Sequence, residues 1–345
     1  MKVRNAPTNF ARCVTRFLTS HLPGERNLSL QTIRSYSLAL KMYIGYLDSS
    51  AGIKPERIEL KDITADSIKG FLASMGDSQM HISPNTHNQR LSALKSFVRY
   101  AILEYPAFLH DGQRILAIPS KRSSTHEIVY LEKEAMKALL AVFNQTSVRG
   151  RRDLAIMAML YDTGARIQEL IGLKVKDVRL VKPETATLLG KGRKMRTVPI
   201  MTETAGIVES YMHDRGFLEQ SACGNLHLFS STNRAQFTRP GIAKILKRHF
   251  AIAKAANPII PFPKNIHPHA IRASRAIHLL ESGVNIIAIR DFLGHTSVTT
   301  TQVYLRVNNK AKQDAITQAY PPLTEAVPAW RENSDLMALL KELCS

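Results

Sequence analysis

A mainly α fold in two domains, the second carrying a small antiparallel β-sheet, is what the sequence predicts, and three observations lead there. Apolar residues recur at helical intervals through most of the 345 residues. That length exceeds what one small core organises and suits two domains. Strand-like residues are confined to two short runs, "ATLLG" and "MRTVPI", on either side of the basic turn "KGRK".

In chain order, "NLSLQTIRSYSLALKMYIGYL" sets Ile33, Tyr36, Leu40, Tyr43, Ile44 and Leu47 on one helical stripe behind Ser29, a suitable N-cap. A shorter helix follows Thr64, with Ile68, Phe71 and Leu72 as its stripe. A third starts at Ser83-Pro84, a capping hydroxyl followed by a proline suited to the first turn. It turns Leu91, Leu94, Val98 and Ile102 inward and Arg90, Lys95 and Arg99 outward. These elements make a helical domain over residues 1–112. From Asp111 the stretch "DGQRILAIPSKRSST" loses periodicity and gains Gly, Pro, Ser and cations, so residues 113–125 read as a linker. Its Lys121 and Arg122 can track a phosphate backbone or simply be solvated.

Residues 126–345 form the second domain. "YLEKEAMKALLAVF" and "RRDLAIMAMLYDTG" read as helices, the latter stopped by Gly164. After the hairpin, helices are expected around residues 202–213, 240–256, 268–282 and 285–293 and across Tyr304. At the end Ser334 can cap a short amphipathic helix with Leu336, Leu339, Leu340 and Leu343 as its stripe.

Charge narrows the function. Lys+Arg 47 against Asp+Glu 28 gives a formal +19 and a pI near 10.0, favouring a polyanionic partner, nucleic acid first. The sequence has no long uncharged apolar run, lipidation motif or signal-peptide core, which argues against a membrane. Cys13, Cys223 and Cys344 are far apart and odd in number, as expected of reduced thiols in a cytoplasmic protein. No metal-type cysteine spacing occurs, and His267 with His269 is the nearest thing to a ligand pair, so no metal and no other cofactor is expected. A phosphate-binding G-x-x-x-x-G-K-[ST] loop is also missing.

Four clusters carry chemistry: "TGARIQEL" with Arg166 and Glu169, "GKGRK" with Lys191, Arg193 and Lys194, "HPHAIR" with His269 and Arg272, and "LGHTSVTTTQVYL" with His295 and Tyr304. Three residues apart, Arg166 and Glu169 share a helix face, so the carboxylate can orient the guanidinium, although the pair by itself reads more readily as a surface ion pair. Arg272 lies on an otherwise apolar helix with Ile271, Ala276, Ile277 and Leu280, as if aimed into a site.

These clusters, in this order, resemble the tyrosine recombinases, the family of the phage-type integrases and Xer-type resolving enzymes, over nearly the whole chain. The resemblance implies a helical, SAM-like core-binding domain and an α-rich catalytic domain that together form a C-shaped clamp on double-stranded DNA. It implies that Arg166 and Arg272 clamp the scissile phosphate, that Tyr304 attacks it to form a 3′-phosphotyrosyl bond, and that Lys191 protonates the leaving 5′-oxygen. Lys194 is the alternative general acid, since the hairpin register is open. His269 would assist proton transfer and His295 would donate a hydrogen bond to the phosphate. Arginine forks suit equatorial phosphoryl oxygens, and a phenol with a pKa near ~10 needs such positive surroundings. The implied reaction is site-specific recombination for integration, transposition or resolution, by a homotetramer on paired sites. A type IB topoisomerase activity and an inactive DNA-binding factor are the alternatives. One departure is Ala273, where many members carry a polar residue after the arginine.

Overall fold

The computed structural model describes residues 6–77, 82–122, 128–190, 192, 194–218, 221–231, 235–305 and 334–343. It comprises two compact units, Met1–His126 and Glu127–Ser345.

In the first unit α1 (Asn9–Arg16) is capped by Thr8 and continues into a wider helical turn, Phe17–Glu25. Helix α2 (Leu30–Ala51) starts where Ser29 accepts from the N–H of Thr32 and stops at Gly52, whose φ of 66° suits glycine. Helix α3 spans Ala65–Asp77, and α4 (Pro84–Glu104) follows the Ser83 cap. Leu40, Tyr43, Leu47, Ile68, Phe71, Leu91, Leu94 and Val98 meet in one core with Phe10, Phe17 and Phe97.

The linker reading needs correcting at its start, because α5 (Leu109–Leu116) packs against α4 and buries Ile115. Gly112, read as a breaker, is instead a close-packing residue: a Cβ there would lie 2.6 Å from Ile102. Beyond α5 the chain stays on α4. Lys95 Nζ donates to the carbonyl of Ile118 at 2.5 Å, and Asn88 pairs with the backbone of Lys121 in both directions, at 2.8 and 2.9 Å. Lys95 is therefore half-buried and engaged rather than outward-facing, while Arg99, Lys121 and Arg122 are exposed and Arg90 is half-buried.

In the second unit, α6 (Lys133–Ala141) and α9 (Thr202–Asp214) flank α7 (Val148–Thr163), most of whose residues are buried. After α8 (Ile167–Gly172) come β1 (Val178–Arg179), β2 (Thr185–Leu189) and β3 (Met195–Pro199), an antiparallel sheet in the order β1-β2-β3. Ala186 is opposite Val198 and Leu188 opposite Arg196, so Ala186, Leu188 and Val198 point into the core and carry Arg196 on the same face. Helices α10 (Arg239–Ala256), α11 (Pro268–Glu281), α12 (Ile286–Leu293) and α13 (Val298–Leu305) follow. The last, α14 (Ser334–Leu343), exposes Leu340 and Leu343; the side chains of Leu336 and Leu339 lie outside the described residues.

Candidate active site

Arg166 is the N-cap residue of α8, just past the Gly164 that ends α7 in the left-handed region at φ 55°. Glu169, in the first turn, holds it twice: Oε2 accepts from the Arg166 backbone N–H and Oε1 from Nη1, both at 2.8 Å. Nη2 of Arg166 donates to the carbonyl of Gly294 at 3.3 Å. The Glu169 side chain is only 4% exposed, whereas that of Arg166 is 34% exposed. A buried carboxylate thus aims a half-open guanidinium outward.

Glu169 has a second cation that the sequence reading missed. Arg196 donates through Nη1 to Oε1 at 3.0 Å and through Nη2 to Oε2 at 2.8 Å, while its Nε donates to the carbonyl of Phe292 at 3.0 Å. Burial pushes the Glu169 pKa up, but the bonds from Arg196 and Arg166 outweigh it and the net shift is downward. The available signal was alternation: in "MRTVPI" Arg196 shares its face with Val198 and Ile200, both buried. Gly294, at φ 65°, is a position where a Cβ would sit 3.0 Å from Arg196 Nη1, so both conformation and space require glycine.

Arg272, on α11, is 1% exposed. Nη1 donates to the carbonyl of Gly164 and Nη2 to that of Leu293, each at 2.6 Å, and Nε has no partner among the described residues. Burial, with Arg166 nearby, lowers its pKa to about 10, which leaves it charged at neutral pH.

Tyr304, on α13, is 9% exposed and belongs to a small cluster with Ala273, Ala276, Ile277, Ile289 and Leu293. Its ring is stacked near that of His295, centroids 6.4 Å apart and planes 18° apart. Burial raises the phenol pKa, while the nearby Arg272 and then Arg166 pull it down without cancelling that rise. His295 Nδ1 is 2.9 Å from Thr301 Oγ1. Burial, then the charges of Arg272 and Arg166, push its pKa down to about 4, so the ring is neutral at pH 7. His269, in the first turn of α11, is shifted down by desolvation and by Arg272. The departure at Ala273 is absorbed by packing, since that residue is 5% exposed within the Tyr304 cluster.

Arg166 separates two openings. On one side a cleft of about 510 Å³ is bounded by Arg166, Gln168, Arg239, His267 and His269. On the other a cavity of about 270 Å³ is bounded by Arg166, Lys194, Arg196, Gly294 and His295. The structure therefore brings Arg166, Glu169, Arg272, His295 and Tyr304 together, with His269 and Lys194 at the openings. Lys191 and Arg193 lie outside the described residues. Arg90, Lys95, Arg99, Lys121 and Arg122 belong to the first unit. Among the described residues no group of three or more His, Cys, Asp or Glu could hold a metal, and no helix is long and apolar enough to cross a membrane.

The model of the phage integrase family matches residues 129–311, and that of the phage integrase N-terminal SAM-like domain matches residues 14–105. The chain belongs to the phage integrase family. These tyrosine recombinases are enzymes that break and rejoin DNA strands. Among relatives, the recombinase is 30% identical to the "Putative integrase/recombinase y4rC" of Sinorhizobium fredii over 97% of this chain and 98% of the relative. It is 30% identical to tyrosine recombinase XerD of Listeria monocytogenes over 86% of this chain and 95% of that one. In fold it resembles the XerH site-specific recombinase solved on a palindromic difH substrate, at TM-score 0.66 and 19% identity, covering 90% of this chain and 88% of that one. The Tn1549 transposon integrase solved with transposon right end DNA has the same TM-score at 17% identity, covering 89% and 98%.

Proposed function

We propose that this recombinase binds duplex DNA at a specific site and cuts one strand by attack of Tyr304 Oη on phosphorus. The P–O5′ bond breaks, a 3′-phosphotyrosyl ester forms, and the leaving 5′-oxygen takes a proton from a lysine of the β2–β3 turn, Lys191 or, alternatively, Lys194. Attack by a new 5′-hydroxyl reverses the step, and the ester conserves the energy of the broken bond. The observation that carries this reading is Tyr304 packed beside His295 with its phenol against Arg272 and near Arg166.

Each neighbour then has a role that its environment supports. Arg166 and Arg272 place two positive charges where an oxyanion develops, and the unpartnered Nε of Arg272 is a buried donor suited to a phosphoryl oxygen. Desolvation and Arg272 keep His269 neutral and able to accept the phenol proton. Neutral His295, with Nδ1 tied to Thr301, keeps Nε2 for the phosphate. Arg272 is 1% exposed, so a phosphate reaches it only if its surroundings open. Four copies on two sites, exchanging strands pairwise, belong to the same proposal, supported by the family resemblance.

The test is Tyr304→Phe against wild type on DNA flanking its own coding sequence. Wild type should give a covalent protein–DNA band on a denaturing gel and the variant none, with near-equal binding. An adduct formed by Tyr304→Phe would reject the nucleophile assignment. Relaxed plasmid without recombinant product would instead favour a topoisomerase activity.

A further inference from the structure

A second concave, basic region of the catalytic unit lies away from Tyr304. A cleft of about 420 Å³ is bounded by Arg149, Arg152, Lys244 and Arg248, with Phe237, Gly241 and Ile245 forming its apolar wall. One carboxylate answers these four cations: Asp153, fully buried, accepts from Arg152 Nη2 at 2.7 Å and from Arg248 Nη2 at 3.1 Å. Arg149 and Lys244 are exposed and have no ion pair among the described residues. Arg152 is 8% exposed and lies 5.0 Å from the centroid of the Phe237 ring, so it is fixed in place. The cleft keeps a strong positive excess at a prepared surface.

The local sequence opposes ordinary helix stability here. Helix α7 begins behind the Ser147 cap with no acidic residue in its first turn, yet it carries Arg149 there and Arg152 just beyond it. The positive end of a helix favours anions, so cations at that end are locally unfavourable unless an anion joins them. The cleft also shares a helix with the catalytic opening. Arg239, in the first turn of α10, donates to Gln168 beside Arg166 at 2.8 Å, and Lys244 and Arg248 follow on the same helix. Nine residues of helix separate Arg239 from Arg248, a rise of roughly 13 Å, or about four base-pair steps of duplex.

We infer that the Arg149, Arg152, Lys244 and Arg248 cleft is an anion site that takes one backbone phosphate of the bound duplex, separate from the phosphate that is cut. This rests on the DNA-cleaving reading above. Arg152 and Arg248, already oriented by Asp153, supply the fixed donors, and Arg149 and Lys244 close on the phosphate from the rim. The site anchors the strand and takes no part in the chemistry.

The test combines Arg149→Gln and Lys244→Gln, exposed positions whose neutral replacements leave the Asp153 network intact, with thermal melts as the check on folding. Wild type and variant are compared in full-length form on the duplex that wild type cleaves. Loss of one phosphate contact should reduce the slope of log affinity against log salt by about 0.9, which is roughly eightfold weaker binding at 0.1 M relative to 1 M salt. The rate of adduct formation in the preformed complex should stay unchanged, and the charge-keeping pair Arg149→Lys with Lys244→Arg should restore the slope. An unchanged slope in the glutamine variant overturns the site. Inorganic phosphate titrated calorimetrically into wild type and variant separates a free-anion pocket: binding lost in the variant with the slope intact would overturn the backbone assignment. A wild type that makes no adduct at all would count against the cleavage reading instead.

Discussion

Glu169→Gln isolates the role of the buried carboxylate, because the amide keeps the shape and removes the charge. Glu169 accepts four hydrogen bonds in the distance range 2.8 to 3.0 Å, two from Arg166 and two from Arg196. The amide nitrogen is a donor, so one oxygen's pair of bonds is lost and an N–H faces a guanidinium instead. At about 1.5–3 kcal/mol for each bond to a charged group, two losses come to ~3 to 6 kcal/mol before relaxation. Breaking a buried pair by removing one partner typically costs about 3–5 kcal/mol, and the Arg196 side chain is only 12% exposed, so a loss of about 3 kcal/mol is expected. Denaturant melts measure it. The carboxylate is held below its ordinary pKa, so its contribution is complete above the unfolded value of about 4.3 and fades as pH falls through the folded value. The gap between wild type and variant should be flat from pH 8 to 5 and shrink below about pH 4. Adding Arg196→Met to Glu169→Gln should recover part of the lost stability but not cleavage, since Arg166 stays unaimed. A Glu169→Gln enzyme within 1 kcal/mol of wild type (about fivefold in the folding constant), cleaving at the normal rate, would refute the reasoning.

Arg166→Ala and Arg272→Ala should each slow single-turnover adduct formation by roughly 10² to 10³, the usual loss for one preorganised oxyanion donor, and near-normal rates would reject the clamp. Lys191→Ala should be rescued by a substrate with sulfur as the 5′-bridging atom, because a thiolate leaves without a proton; rescue of Lys194→Ala in its place transfers the general-acid role to Lys194. His295 titrates near 4 in the folded chain against about 6.5 unfolded, so the unfolded chain binds the extra proton in between and stability falls as pH drops through that window. The ceiling is about 3 kcal/mol, reduced by partial solvation of the ring, and melts from pH 7 to 4 should be less steep for His295→Gln than for wild type.

How legible each part was in the sequence follows from which interactions side chains announce. Caps at Ser29 and Ser83 and the stop at Gly164 were readable because short side-chain oxygens and glycine mark helix ends by local chemistry. Helix α5 was not, since Gly112 looks like a breaker until Ile102 is seen against it. Lys95 was read as outward-facing from its place on the helix, yet the segment after α5 folds back and offers it the Ile118 carbonyl, a contact of long range. Arg196 sits among so many cations in "KGRKMRT" that composition hides it, although its alternation with Val198 did not.

Arg272 shows why the rest of the site could not be read from residue spacing. Its partners are carbonyls, those of Gly164 and Leu293, and any sequence supplies carbonyls. What sets these two is that α7 and α12 both finish at a left-handed glycine, Gly164 and Gly294, so two helix C-termini converge on one guanidinium. The partial negative charge at those ends helps to hold a buried cation whose pKa burial lowers only to about 10. Neutral acceptors orient that charge without cancelling it, whereas Glu169 offsets one unit of the charge on Arg166 and Arg196 together. Three arginines against one carboxylate leave two net positive charges around Tyr304. The dianion-like transition state of the proposed tyrosine attack would need about that much compensation, which these preorganised arginines could supply.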